Sequence, residues 1–512
     1  MSRPPLLLGR HENGIEGGLM MSKRSTSNAD VENIELIRKT GCREAAIAAA
    51  RERGDTAWMR IQRIVQEHDD MVGLAEKHSR QKAIKDPVHG AIILAPWELD
   101  IISTWEMQRL RYVRQLGPAH LVYPGATHTR FEHCLGTNFL AQKCIRVISY
   151  CDDLCDCSFR PLSELLDEEH ERVFRTVALL HDVGHPPASH TIEPALKSWA
   201  GFDHLDLGEH LILHSHLSDV LRDVGVNPKT VMQVLRRQSR DRILRLISEF
   251  IDSPLDIDKT DYLIRDAHFS GAELGLFPAE RVLLTSRVVQ DETGDYVRAF
   301  MLKALHSLEA LVLSRNWMFS DLYLHHAVRV AEAMINKATY LQLEAEGFSH
   351  NECVGMFTRM GDADLHRWLS KSENDVVREY ARRIRHRQLF KVVLSRRLSS
   401  FPADVRRRFV EMQHDMSALL DMEREIAEDS DRVVFDVVVP NLVADQMAKI
   451  RIVTESNGPQ RLTAMAEAEE ARPLMSALEQ QSLTIPSVRV YAEPRLAPDV
   501  QKKFARLFPT ES

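Results

Sequence analysis

Seven cysteines in 512 residues are too few, and odd in number, for a disulfide framework, which points to a reducing, cytoplasmic home. No run of about 18 apolar residues is free of charge, so no membrane-spanning helix is expected. The opening MSRPPLLLGRHENG lacks the apolar stretch and small-residue cleavage site of a secretory signal. Cys151, Cys155 and Cys157 lie close together, but no second pair follows at ligand spacing, and a structural zinc site is disfavoured there. Aromatics amount to 6% and are sparse beside the basic runs RRIRHR (382–387) and RRR (406–408), unlike a stacking platform for single strands. With a net charge of −8 as well, nucleic acid is a weakly supported partner. No internal repeat of 20–50 residues marks a solenoid.

What the chain does have is an ordinary globular balance, 44% hydrophobic and 27% charged, over a length that exceeds a single core. Residues 1–28 are rich in Gly, Ser, Arg and Pro and read as a disordered extension. Apolar positions at helical intervals then predict an N-terminal helical segment over 29–83 and a core over 84–345 dominated by helices. The β-like pieces RVVFDVVV, IRIV and SVRVYAE, among further helices, predict a smaller C-terminal α+β region over 346–512. The expected class is mostly α.

The stretch VALLHDVGHPPASH (177–190) carries the chemistry. Its apolar lead-in reads as a buried helix that Gly184 and Pro186–Pro187 stop just after His181 and Asp182. A buried ionisable pair is costly unless it is paired or coordinated, and a helix C-terminus favours a nearby cation. Neighbouring helix residues diverge by about 100°, so further ligands must come from elsewhere. His133 in TRFEHCLG and Asp258 in LDIDKTDYLIRDA stand in similar settings. Two histidines and two carboxylates suit a divalent ion, Mn, Fe, Mg, Co, Ni or Zn, and with it hydrolysis at phosphorus.

DPVHG, QRLRYVRQLG, VYPGATHTRFEHCLG, LLHDVGHPPASH and DIDKTDYLIRDA, in this order, resemble the HD-domain deoxynucleoside triphosphate triphosphohydrolases, both the SAM-and-HD-domain proteins and their bacterial relatives. The resemblance implies an HD-superfamily helical core in which His133, His181, Asp182 and Asp258 hold the ion. It implies cleavage of a dNTP between the α-phosphate and the sugar oxygen, giving a deoxynucleoside and inorganic triphosphate. His185 and His190 would approach the phosphates, one of them as general acid. Arg130, Lys259 and Tyr262 would cradle the triphosphate, while Gln115, Leu116, Asp266 and Tyr323 would enclose the deoxyribose. Glu193 stands where many relatives carry Asp, and the partner histidine downstream is His210 in preference to His204. Ser103 occupies the position of the family's guanine-reading aspartate, which speaks against activation by GTP in the family manner. Lys82, Gln108 and Arg111 remain for some allosteric nucleotide. A homo-oligomer is also implied, and no SAM domain is evident ahead of the core. The alternatives are an HD phosphohydrolase acting on another nucleotide or on single-stranded nucleic acid, and a non-catalytic nucleotide-binding module.

Overall fold

Asp86 turns the chain at the start of the core: its carboxylate accepts the backbone N–H groups of Val88 and His89, and Gly90 supplies the positive φ of 78° that closes the hairpin. The run DPVHGAIIL is therefore a complete antiparallel pair, β1 (Lys82–Asp86) and β2 (Gly90–Leu94), in which Ile84 faces Ile92. The computed structural model describes residues 80–509, apart from 155–157, 440–448, 455–460 and parts of 468–485. The extension 1–28, nearly all of the segment 29–83, and Cys155 and Cys157 lie outside the described residues.

The described part is mostly α. Helix α1 (Arg130–Val147) opens on a capping box, with the Glu132 carboxylate accepting from Thr129, and α2 (Glu168–Leu180) opens on Asp167, which accepts the His170 N–H. Both are core helices: Val173, Phe174, Val177, Leu179 and Leu180 are buried in the same cluster as Phe131, Cys134, Leu135 and Leu140. Each such side chain contributes about 1.5–3 kcal/mol on leaving water. Four more helices matter for the site: α3 (Glu193–Ala200), α4 (His204–His214), α5 (Ile257–Ser270) and α6 (Leu305–Met318). The long α7 (His326–Glu346) packs against α3.

Two sheets complete the fold. One has six strands in the order β10-β9-β6-β5-β3-β4, where β3 is Ser149–Cys151, β4 Arg160–Pro161, β5 Ser286–Gln290, β6 Tyr296–Met301, β9 Arg451–Thr454 and β10 Arg461–Ala464. It joins strands from both sides of residue 345, with β6 and β9 parallel and Phe300 beside Ile452. The other is antiparallel in the order β7-β11-β8 (Lys391–Arg397, Ser487–Ala492, Val433–Val438). Lys337 of α7 lies buried between the two halves, donating to Glu423 at 2.6 Å and to the carbonyls of Ser430 and Val433. In the basic runs Arg382 and Arg383 pair with Glu379, Arg383 also pairs with Glu493, and Arg408 lies 3.8 Å from Glu425.

Gly136, one turn beyond His133, exists for a close approach. A Cβ there would lie 1.9 Å from Asp261 Oδ1 and 2.4 Å from Arg265 Nη2. Gly136→Ala is expected to lower stability by about 1–3 kcal/mol through overpacking. Gly355→Ala, on helix His350–Phe357 with nothing within 4 Å, is expected to be neutral or to stabilise by up to about 1 kcal/mol. Denaturant unfolding of the two variants checks the contrast.

Candidate active site

Four side chains from three parts of the chain meet. His133 leaves the first turn of α1, His181 caps α2 at its C-terminus, Asp182 follows it, and Asp258 lies in the first turn of α5. His133 Nε2 is 3.1 Å from His181 Nε2, 2.9 Å from Asp258 Oδ1 and 3.5 Å from Asp182 Oδ2. His181 Nε2 lies 3.6 Å from a carboxylate oxygen of each aspartate. Both Nδ1 atoms are committed elsewhere, His181 to the Ala178 carbonyl at 3.0 Å and His133 to Asp261 at 2.7 Å, so both Nε2 atoms face the common centre. Two imidazole nitrogens and two carboxylates aimed at one point form a donor set that fits a divalent cation. Burial alone would raise the Asp182 carboxyl, but Arg130, His181 and His133 hold it well below the ordinary carboxylate range.

Behind the quartet stands a support that sequence reading missed. Asp261, one turn after Asp258 on α5, accepts from His133 Nδ1 and His89 Nε2 and is clasped by Arg265, which reaches on to Asp86 at 2.7 Å. A carboxylate on the far nitrogen of a ligand histidine fixes its tautomer and ring direction. The (i, i+3) and (i, i+4) spacing of 258, 261 and 265 was its only trace in the sequence.

The HDVGHPPASH segment is held by its carbonyls. Buried Arg109 donates to Val183 and His185 oxygens at 2.8 Å each. Ala188 and Ser189 then take positive φ of 59° and 56°, a left-handed conformation that costs non-glycine residues roughly 1–2 kcal/mol each. The Asp362 carboxylate accepts the Ala188 N–H at 2.8 Å, while Ser189 Oγ donates to the Arg114 carbonyl and accepts from Arg130 Nε. The outcome is to present His190. Its Nδ1 bonds Glu193 at 2.8 Å, and its Nε2 lies 3.3 Å from His185 Nε2.

The other oxygen of Glu193 bonds His204 Nδ1 at 2.5 Å. The downstream partner is thus His204, and the preference for His210 is corrected. Gly184 and Gly208 touch so closely that a Cβ on Gly184 would sit 2.1 Å from the His204 carbonyl and Gly208 nitrogen, which brings the start of α4 onto the turn that carries His185 and His190. His210, nearly two turns later, is directed instead towards the His214 ring at 5.9 Å; burial first, then His214 and Arg359, push its pKa down to about 4.

The predicted sugar and phosphate residues also have places. Asp266 bonds His128 Nε2 at 2.8 Å and Tyr323 Oη at 2.6 Å, and Leu116, Tyr262 and Tyr323 pack on one apolar cluster. Gln115 Oε1 and His128 Nδ1 are buried without hydrogen-bond partners. Arg130 donates to Asp182 at 2.5 Å and Lys259 to Asp256 at 2.6 Å. Arg315 on α6 was missed: it is 3% exposed, its Nε and Nη1 have no partner, and its charge reaches Tyr262 and Tyr323. Of the allosteric candidates, Gln108 accepts from Arg111 and donates to the Ile102 carbonyl, Arg111 stacks over Phe131, Ser103 donates to the Leu99 carbonyl, and Lys82 lies on β1.

Residues 130–267 match the HD domain and 288–511 the HD associated region. Uncharacterized protein MJ1154 of Methanocaldococcus jannaschii is 28% identical over 80% of this chain and 79% of its own. Uncharacterized protein YwfO of Bacillus subtilis is 33% identical over 53% and 59%. The deoxynucleoside triphosphate triphosphohydrolase SAMHD1 of Homo sapiens is 27% identical over 65% of this chain and 56% of its own, so the chain spans little more than half of that relative. A crystal structure of a hypothetical protein from Aquifex aeolicus superposes with a TM-score of 0.62 at 27% identity, covering 83% of this chain and all of that one. No described helix is long and apolar enough to cross a membrane.

Asp261→Asn keeps the shape but removes the charge behind His133; metal content by elemental analysis should show affinity reduced about 10–100-fold. Burial alone would raise the Glu193 carboxyl, but His190 and His204 hold it below its ordinary 4.5. Its stabilising contribution is therefore complete just above pH 4.5 and is lost as pH falls through the depressed value, and because Glu193 raises the His204 pKa against burial, the same pair also weakens as pH rises through that raised value. The melting-temperature gap between wild type and Glu193→Gln should be largest just above pH 4.5 and close both below it and as the histidine deprotonates.

Proposed function

We propose, from the premise that the chain belongs to the HD-domain family of phosphohydrolases, that it hydrolyses deoxynucleoside triphosphates to deoxynucleoside and inorganic triphosphate. The observation that carries this reading is the adjacency of two histidine-carboxylate clusters that share the segment 181–193, His133, His181 and Asp182 with Asp258 beside them, and His185 and His190 with Glu193 and His204. His133, His181, Asp182 and Asp258 hold the divalent ion. When bound, it supplies Lewis acidity at a phosphoryl oxygen and makes water nucleophilic near neutral pH.

The remaining work belongs to the chain's own residues. His190, with an exposed ring and Nδ1 fixed by Glu193, holds a proton at Nε2 against His185. It delivers that proton to the sugar oxygen as the bond from that oxygen to the α-phosphorus breaks and water adds to phosphorus. Arg130, Lys259 and Arg315, two of whose nitrogens lack a hydrogen-bond partner, neutralise the triphosphate, and Tyr262 donates to it. Gln115, Leu116, Asp266 and Tyr323 enclose the deoxyribose; burial, then Asp266, raises the Tyr323 hydroxyl's pKa, so that it stays protonated and donates. Deoxynucleoside triphosphates are thus the proposed partners, in a cytoplasmic homo-oligomer open to an allosteric nucleotide.

The test is product analysis across the four dNTPs, nucleoside monophosphates, a cyclic dinucleotide and single-stranded oligonucleotides. Equimolar deoxynucleoside and triphosphate are expected from dNTPs. Release of orthophosphate or monophosphate alone defeats the proposal and favours another phosphohydrolase. His190→Ala should lower kcat by about 10²–10⁴-fold, whereas Arg315→Ala should act mainly through KM.

A further inference from the structure

Residues Phe319–Tyr323, FSDLY, leave the α-helical path between α6 and α7. They form a π turn, closed by the Leu324 N–H on the Phe319 carbonyl at 2.9 Å. Such a turn holds one residue more than an α turn and occurs mostly singly, often at functional sites. Were the segment to relax into an α-helix, one residue would drop out of register and the side chains after it would swing by about 100°.

Two pocket side chains depend on that register. Tyr323, the last residue of the turn, donates to Asp266 at 2.6 Å. Phe319, the first, has the Arg315 guanidinium 5.6 Å from its ring centre and meets the Tyr323 ring edge-on at 5.1 Å. The turn therefore carries the hydroxyl set against the sugar and the ring that steadies a cation with two unpartnered nitrogens.

The turn does not hold itself in place. Carbonyls left open at a helix end need donors from outside. Tyr123 Oη donates to the Asp321 carbonyl, and Arg489 Nη1, on β11, donates to the Leu324 carbonyl at 2.8 Å. Tyr123 is itself fixed, since its N–H donates to the Ala119 carbonyl at 2.8 Å and its ring meets that of His325 edge-on at 5.9 Å. Just beyond the turn, His325 Nδ1 accepts the Ala327 N–H at 3.3 Å and so starts α7. The VYPG segment and the C-terminal sheet thus grip the turn from two distant parts of the chain.

We propose that Tyr123 and Arg489 are positioning residues that hold the π turn and, through it, set the pocket's preference for deoxyribose over ribose. They act only through Tyr323 and Phe319. With the turn held, Tyr323 stays against Asp266 and the wall beside the sugar is closed. With it released, the ring swings away and room opens for a 2′-hydroxyl. The preference rests on the proposed function; the pinning of the turn does not.

The experiment uses the full chain carrying Tyr123→Phe, which removes the hydroxyl alone, or Arg489→Met, which removes the guanidinium and keeps an apolar stem. Hydrogen exchange of the Leu324 amide, whose bond closes the turn, should quicken about 10-fold in either variant, with exchange in α1 unchanged. The kcat/KM for a dNTP should fall about 10-fold, while the matching ribonucleotide competes as well as before or better. A structural role alone would weaken both nucleotides together. Unchanged exchange at Leu324 overturns the pinning, and an unchanged ratio of the two nucleotides overturns the role in selection. Should circular dichroism show that Tyr123→Phe fails to fold, Arg489→Met decides both. Absence of wild-type turnover on every nucleotide refutes the proposed function, while the exchange rates still decide what holds the turn.

Discussion

The carboxylate of Asp261 is the constraint on which the rest of the site depends. Buried without exposure, it accepts from His133 and His89 and is clasped by Arg265, whose charge passes on to Asp86. An isolated carboxylate would not tolerate that depth. Burial would raise its pKa, but Arg265, His133 and His89 hold it well below the carboxylate range. The hairpin of residues 82–94 is thereby welded to α5, and α5 to α1, in the register that points His133 Nε2 at Asp258. Gly136 is the slot that admits the weld.

A second set of contacts fixes the turn that presents His190. The pair of left-handed residues before His190 persists because its surroundings over-determine it: Arg109 holds two carbonyls, Asp362 one N–H, and Ser189 bridges Arg114 and Arg130. Asp362 and Met360, whose carbonyl also accepts from Arg109, come from beyond residue 345. The C-terminal part of the chain therefore shapes the site. The same holds for α7, which carries Lys337 to Glu423 and stacks on the helix that bears Glu193.

These two supports explain what was legible in the sequence. The helical class and the His-Asp doublet could be read, because an apolar helix stopped by Gly and Pro leaves ionisable residues no bland explanation. His204 against His210 could not, since the choice is made by the contact of Gly184 with Gly208, which no spacing encodes. Arg315 was hidden inside LEALVLSRNWM, where one cation in an apolar helix looks like a snorkelling side chain, and only its two unpartnered nitrogens betray it. The six-stranded sheet was missed for a different reason: β3 and β4 have three and two residues, too short for alternation to show, and β5, the strand on the other side of β3, lies far away in sequence. The ion pairs of the basic runs were legible in part, because Glu379 is a near neighbour in sequence whereas Glu493 and Glu425 are not.

The two clusters, finally, share one loop. The Asp182 carboxylate lies 3.5 Å from His133 Nε2 and 3.6 Å from His181 Nε2 and accepts from Arg130 at 2.5 Å, while the carbonyl of the same residue lies 3.3 Å from His185 Nδ1. Because Arg130 also donates to Ser189, one ion pair ties the quartet to the strained turn that presents His190, and the position of Asp182 cannot change at one cluster without disturbing the other.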